Sequence, residues 1–411
     1  MTWDVRAPLA MATQSAISAL LICTTPKDAV LIRAGALPAL LALAVVCVRT
    51  ASAFSLQAML YLGFAVCGYV NVFHCVNMLC LHPIDDAYVR REMAKWKQQY
   101  PADPGLLSRV IFTTGMLFSF RGVGTAHEIR SMPKFSGGVV PTKTSFLLQQ
   151  VAWIALEYLF MDFVVSQPQP PEAAEAWALG KEWLWLPLNP HPVTRADLTG
   201  RAIGTFMSWY LFGQMMLDIW YRIFSVVWVG LGISPVSQWP PMYGPRSQCY
   251  SLRRYFNVFW HQCLRAPLQG TATFITRKLL GLGPSLLQSY LTMLIVFMLS
   301  GHFHILLDWC SDMTSWRLSG ALACFTLFVP TIMVEDAFQW AWRRLKTKAG
   351  LGADDLRLVE KAFGFVWTFL ALAVVTPVFN YPLQRVPTKS NPQYVVPWSF
   401  FGPDYGGTLS E

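Results

Sequence analysis

Runs of about twenty apolar residues recur along nearly the whole of this chain, and they limit its fold more than any other feature. About twenty such residues, wound as a helix, cross the hydrocarbon core of a bilayer. Runs of that kind fall near 29–48, 54–80, 145–166, 203–233, 284–310, 318–341 and 362–380, with a weaker one at 9–24. In lipid the backbone must satisfy its own hydrogen bonds, so only helices or a closed barrel will serve. No run alternates apolar and polar residues between Gly/Asn turns, which argues against a barrel. Only 13% of the 411 residues are charged, against about 25% in soluble domains. The pattern predicts an all-α, polytopic transmembrane bundle of about seven to nine spans. Residues 1–50 read as N-terminal membrane segments, 51–380 as the membrane domain and 381–411 as a tail. The stretch "APLAMATQSAISALLICTT" has no basic n-region before a clean cleavage site, so it reads as a short span or an interfacial helix. No repeat of fixed period is visible.

The net charge of +9 is unevenly placed. Segment 81–144 carries nine Lys/Arg against five Asp/Glu, and segment 235–283 carries six and no carboxylate. Segment 342–361 is again basic, whereas 167–200 is Pro-rich and near neutral. With the spans above, the three basic segments fall on one face, which the positive-inside rule assigns to the cytosol. The nine cysteines are scattered without a Cys-x-x-Cys. "FHCVNMLCLH" (73–82) holds two His and two Cys, but on a helix Cys75 and Cys80 point about 140° apart, so packing is the better reading and no metal is assigned.

Chemistry-bearing residues gather at two places. In "FMLSGHFHILLDW" (297–309), His302 and His304 sit inside an apolar run, where an ionisable group is a functional candidate by default. Ser300, His304 and Asp308 share one helical face, and a carboxylate one turn from an imidazole fixes its tautomer and raises its basicity. That arrangement suits a general base taking a proton from an alcohol. His302 points about 160° away. The competing reading is a pair of interfacial histidines satisfied by backbone carbonyls. Counted from residue 284, His304 lies about 30 Å along its span. Trp260, Phe297, Phe303 and Trp309, with Met298, crowd this region with large side chains, which favours a small pocket over a long apolar tunnel.

"SLRRYFNVFWHQCLR" (251–265) is the second place. Arg253, Arg254 and Arg265 flank an aromatic helix with His261 and Gln262. Arginines without nearby acid suit the phosphates of coenzyme A. They equally suit topology, snorkelling at a cytosolic boundary. Elsewhere, Asp218 and Arg222 form an i, i+4 pair, and Glu335 and Asp336 are expected to pair with Arg343 or Arg344 at a helix end.

These two motifs, taken in order, resemble the fungal wax-synthase-like branch of the membrane-bound O-acyltransferases. That branch shows Phe-Trp-Gly, Trp-His-Gln and Arg, then Ser-Gly and His. Here "SLRRYFNVFWHQCLR" is followed after about 35 residues by "SGHFH". "QWPPMYG" (238–244) is similar to the branch's Trp-Pro-Pro-Leu-Phe-Gly, "RGVG" (121–124) to its Arg-Gly-Ile-Gly, and "IMVEDAFQ" (332–339) follows in order. Tyr255-Phe256-Asn257 stands where the branch has Phe-Trp-Gly. The likeness covers roughly residues 50–380. It implies that His304 is the buried catalytic histidine and that His261 positions the acyl donor or polarises its carbonyl. Asn257, one turn before His261, would share that face.

The combined reading is an acyl-CoA-dependent O-acyltransferase. His304, His261 and Asp308 form its catalytic set, and Arg253, Arg254, Arg265, Trp260 and Asn257 form its donor site. The likeness implies acetyl-CoA as co-substrate, no bound cofactor, and a lipophilic alcohol such as a terpenoid or meroterpenoid as acceptor. The chain would sit in the endoplasmic reticulum bilayer and bind no nucleic acid. Long-chain wax or acylglycerol synthesis is the alternative. A proton-coupled transporter is disfavoured, because inverted repeats are not evident.

Overall fold

Helix follows helix in the computed structural model, which describes residues 4–54, 68–95, 100–167, 173–185, 191–310, 318–352, 354–386, 396 and 398–402. Among the described residues there is no strand. Six helices are long and apolar enough to cross a membrane: Arg6–Thr24, Val30–Ala51, Lys143–Val165, Leu286–Trp309, Ala321–Lys348 and Arg357–Gln384. Two shorter apolar helices accompany them, Gly68–Leu81 and Leu106–Phe118. The chain forms two compact units, each built from two separate segments. The first joins Met1–Arg130 to Cys263–Asp312, and the second joins Ser131–Gln262 to Met313–Glu411.

In the first unit, α1 (Arg6–Thr24) leads to α2 (Val30–Gly35) and α3 (Leu37–Phe54). The predicted span 54–80 is described from residue 68 onward, as α4 (Gly68–Leu81), while 55–67 lie outside the described residues. The α4 helix ends in a π turn at Asn77–Leu81. The basic segment 81–144 is not a plain loop. It holds α5 (Asp86–Ala94) and the apolar α6 (Leu106–Phe118). At 13 residues α6 is too short to register as a span. Arg33 lies wholly buried and donates to the carbonyls of Thr25 and Ile84, at 2.7 Å each. This ties the α1–α2 link to the corner after α4. The unit closes with α11 (Arg265–Phe274) and α12 (Leu286–Cys310), numbered after the second unit's helices. Asn77 donates to the Pro267 carbonyl at 2.8 Å, and Gln288 and Thr276 both meet the Thr292 hydroxyl, at 2.8 and 3.0 Å. Such hydrogen bonds hold apolar helices where burial alone gives no register.

The second unit holds α7 (Lys143–Val165), α8 (Arg195–Phe206), α9 (Gly213–Gly230), α10 (Leu252–Arg254), α13 (Ala321–Lys348) and α14 (Arg357–Gln384). The run read as 203–233 begins earlier, because Thr194 and Asp197 close a capping box, and it continues through a π turn at Met207–Phe212. Arg222 binds Asp218 at 2.6 Å, as its i, i+4 spacing implied, and also lies 3.6 Å from Glu157 on α7. Asp162, fully buried, accepts the Phe400 N–H at 2.6 Å, so residues 398–402 fold back on α7.

Candidate active site

Helix α12 carries His304 in the first unit. Its Nδ1 lies 2.7 Å from the Ser300 carbonyl, one turn back. A carbonyl oxygen only accepts, so in the neutral ring Nδ1 carries the proton and donates, and Nε2 bears the lone pair. The backbone thus sets the tautomer, a role the sequence reading had given to Asp308. Asp308 is nevertheless 2% exposed and one further turn along, with Ser300 buried as well. His302 projects elsewhere: it is exposed, and its Nδ1 lies 3.0 Å from the Tyr69 hydroxyl. The Tyr69 ring stacks on Phe303, 5.6 Å between centroids. Phe303 is buried, but Met298 and Trp309 are exposed on α12, so the aromatic set does not converge as expected. Arg49 lies 5.9 Å over the Trp309 ring instead.

Residues 251–262, in the second unit, do not form a single helix. Ser251 caps the Arg254 N–H at 3.1 Å, and α10 runs into a π turn at Tyr255–Phe259. Trp260 is extended (φ −60°, ψ 149°), which ends the helix there. Asn257, exposed, therefore does not share a helical face with His261. The Trp-His-Gln corner is held from within and from outside. Gln262, 2% exposed, donates to the carbonyls of Phe256 (2.9 Å) and Trp260 (2.6 Å). The "QWPPMYG" loop lies against the corner. Gly244 donates to the Phe259 carbonyl at 2.9 Å, and a Cβ at this glycine would stand 2.1 Å from the Val258 carbonyl oxygen. Only glycine admits that approach. Tyr243 meets the rings of Trp260 and His261 edge-on, at 5.7 and 6.4 Å.

A residue expected from the sequence only in a helix-end ion pair underlies this corner. Glu335, 3% exposed on α13, accepts the N–H groups of Leu252 (2.6 Å) and Arg253 (3.2 Å) and the Trp367 indole N–H (2.9 Å). It is a cap delivered across 83 residues, not a partner of Arg343 or Arg344. Asp336 pairs with Arg253, not with those arginines. Arg254 meets Gln248, and its guanidinium lies 4.8 Å over the Tyr250 ring. Arg265 opens α11 in the first unit, its Nε 3.3 Å from Gln269, and burial together with Arg130 lowers its pKa. Of the residues singled out by sequence, His304, Asp308 and Arg265 belong to the first unit. Arg253, Arg254, Asn257, Trp260 and His261 belong to the second.

Residues 239–327 match the sequence model described as the membrane bound O-acyl transferase family, a stretch that contains both histidine motifs. The chain is 37% identical over 274 residues to the acetyltransferase ataH of Aspergillus terreus, covering 66% of this chain and 88% of that protein. It is 30% identical over 394 residues to the acetyltransferase atnC of an Arthrinium species, covering 92% and 87%. With the acetyltransferase TRI7 of Fusarium sporotrichioides it shares 28% over 341 residues, covering 80% and 75%. No solved structure matches the chain.

Proposed function

This chain belongs to the membrane bound O-acyl transferase family and is an acyltransferase of the membrane; from that premise we propose that it moves the acetyl group of acetyl-CoA to a hydroxyl of a lipophilic secondary metabolite, such as a terpenoid, at the endoplasmic reticulum. The similar proteins named as acetyltransferases support the acetyl donor. The observation that carries the catalytic assignment is the 2.7 Å contact of His304 Nδ1 with the Ser300 carbonyl. With Nδ1 donating, Nε2 is the ring's basic nitrogen, on an apolar helix that suits a lipid-soluble acceptor.

In the proposed reaction, Nε2 takes the acceptor's hydroxyl proton as the oxygen attacks the thioester carbonyl. The tetrahedral oxyanion collapses, the C–S bond breaks, and the departing CoA thiolate recovers the proton from Nε2. Ester and free CoA result, and the imidazole returns to its starting state. His261 is assigned the donor's carbonyl oxygen, where a positioned N–H stabilises the developing charge. Asp308 is assigned a positioning role on the His304 face.

Membranes bearing the protein, incubated with acetyl-CoA and lipophilic alcohols, would yield acetate esters identifiable by mass spectrometry. His304→Ala should abolish them while leaving insertion and abundance unchanged. Normal turnover by that variant would refute the assignment. His302→Ala should keep most of the activity, since His302 lies on another face of α12.

A further inference from the structure

The first unit also contains a cavity of about 670 Å³ that the chemistry above does not use, lined among others by Lys27, His82, Asp85, Tyr88, Arg91 and His127. Its size is that of a small-molecule site. Its walls are held by contacts between the elements that meet there. Arg33 clamps the link carrying Lys27 to the corner after α4, through Thr25 and Ile84. Asp85 accepts the Tyr88 N–H at 3.1 Å and starts α5, so its carboxylate is engaged at the helix end. The "RGVG" loop brings in His127, whose Nδ1 lies 2.6 Å from the Tyr88 hydroxyl. Gly122 in that loop has φ 62°, and a Cβ there would sit 2.8 Å from the His127 carbonyl. Arg91 lies 5.1 Å over the Tyr88 ring. Lys27, Arg91, two imidazoles and a carboxylate engaged at a helix end make a lining suited to phosphate, although Arg91 also lies 4.0 Å from Glu92.

The distance to the reacting centre provides a second, independent argument. Helix α4 runs from Tyr69, whose hydroxyl meets His302 on α12, to Leu81 on the cavity wall. Twelve residues at 1.5 Å each span about 18 Å. The pantetheine arm of coenzyme A has about thirteen bonds between pyrophosphate and sulfur, or ~15 Å at the reach of an extended chain. A nucleotide held in the cavity would therefore place its thioester near the level of His302 and His304.

We propose that this cavity holds the phosphate-bearing nucleotide end of the acyl donor, with Lys27 and Arg91 as its phosphate contacts. The assignment rests on the acyl-CoA reading above, and it moves the donor's anchor away from Arg253, which is paired with Asp336.

The test uses the full chain in neutral lipid nanodiscs, with Lys27→Gln and Arg91→Gln compared at matched thermal stability. Each should raise the KM for acetyl-CoA about tenfold, equivalent to ~1.4 kcal/mol, with kcat and the alcohol KM within about twofold. Each should also weaken binding of adenosine 3′,5′-bisphosphate, measured by calorimetry without any acceptor. Unchanged bisphosphate affinity and acetyl-CoA KM in both variants would overturn the proposal. So would variants that lose only their affinity for phosphatidylserine vesicles, which would mark a lipid-headgroup site. Charge-dependent bisphosphate binding by a protein that transfers no acetyl group would sustain the cavity and refute the proposed reaction.

Discussion

Replacing Glu335 tests whether the Trp-His-Gln corner is set from a distance. Its carboxylate is 3% exposed and accepts two backbone N–H groups at the start of α10 as well as the Trp367 indole. Leu252 is fully buried, so no water would replace the lost acceptor there. A buried donor left unpaired costs about 1–3 kcal/mol, so the two orphaned backbone groups in Glu335→Ala imply a loss of ~2–6 kcal/mol. Glu335→Gln keeps one carbonyl oxygen. Oε2 now serves both Leu252 and Trp367, so a glutamine oxygen placed there keeps two bonds and loses that to Arg253. One charge-assisted bond lost costs ~1.5–3 kcal/mol, less than the alanine change. Glu335→Asp, one methylene shorter, should fall between the two. Thermal unfolding in nanodiscs gives the stability order, and acetyl transfer to a fixed alcohol gives kcat/KM. Activity should fall in the same order as stability, because the capped helix leads directly into Trp260, His261 and Gln262. A Glu335→Ala protein with wild-type melting and turnover would refute the reasoning, as would a glutamine variant worse than the alanine one.

Gly244→Ala must push a Cβ into the Val258 carbonyl. We expect a loss of ~1–3 kcal/mol by overpacking, read as a lowered melting temperature, and an unchanged melt would contradict the close approach. For the donor, kcat/KM should be highest with acetyl-CoA and fall steeply toward palmitoyl-CoA in a series with one acceptor; a palmitoyl preference would reverse the chain-length claim. Burial of Asp197 opposes its ionisation, but hydrogen bonds from Lys181 and Thr194 overcome that and lower its pKa from 3.8 to about 2. Its contribution is therefore present above pH ~4 and is lost as pH falls toward 2, so the acid-induced loss of stability should shrink in Asp197→Asn. Equal acid sensitivity in that variant would refute the linkage.

Where the chain spans lipid, its sequence was informative, because length and apolarity are the same constraint the bilayer imposes. The six long helices fall on the runs read from composition, and 321–348 and 357–384 extend past them by one or two turns of polar residues. Misreadings arose where local pattern and tertiary contact disagree. Leu106–Phe118 is apolar but short, so the charges around it read as loop. The start of α8 is written in the sequence as a capping box, Thr194-x-x-Asp197, ahead of the apolar run. The π turns at 77–81, 207–212 and 255–259 have no sequence signature of their own.

The stretch 251–265 reads as one helix because Phe, Trp and Arg side chains fit a helix as well as a corner. What ends that helix at Phe259 is not a proline or glycine within it but a glycine fifteen residues earlier, Gly244, lying against its last carbonyls. Its cap comes from Ser251 and from Glu335, some eighty residues later. A single-sequence reading sees such groups as separate polar residues in separate runs, and the rule that intramembrane charge marks function then applies to each alike. Their partners separate them. Asp162, Glu335 and Asp336 each hold a neighbouring element in place. His304 bonds its own helix, through an interaction that orients the ring and assigns the proton to Nδ1. A hydrogen bond that orients the ring is what a positioned base requires, and on that ground, beyond spacing alone, His304 is the residue to test first.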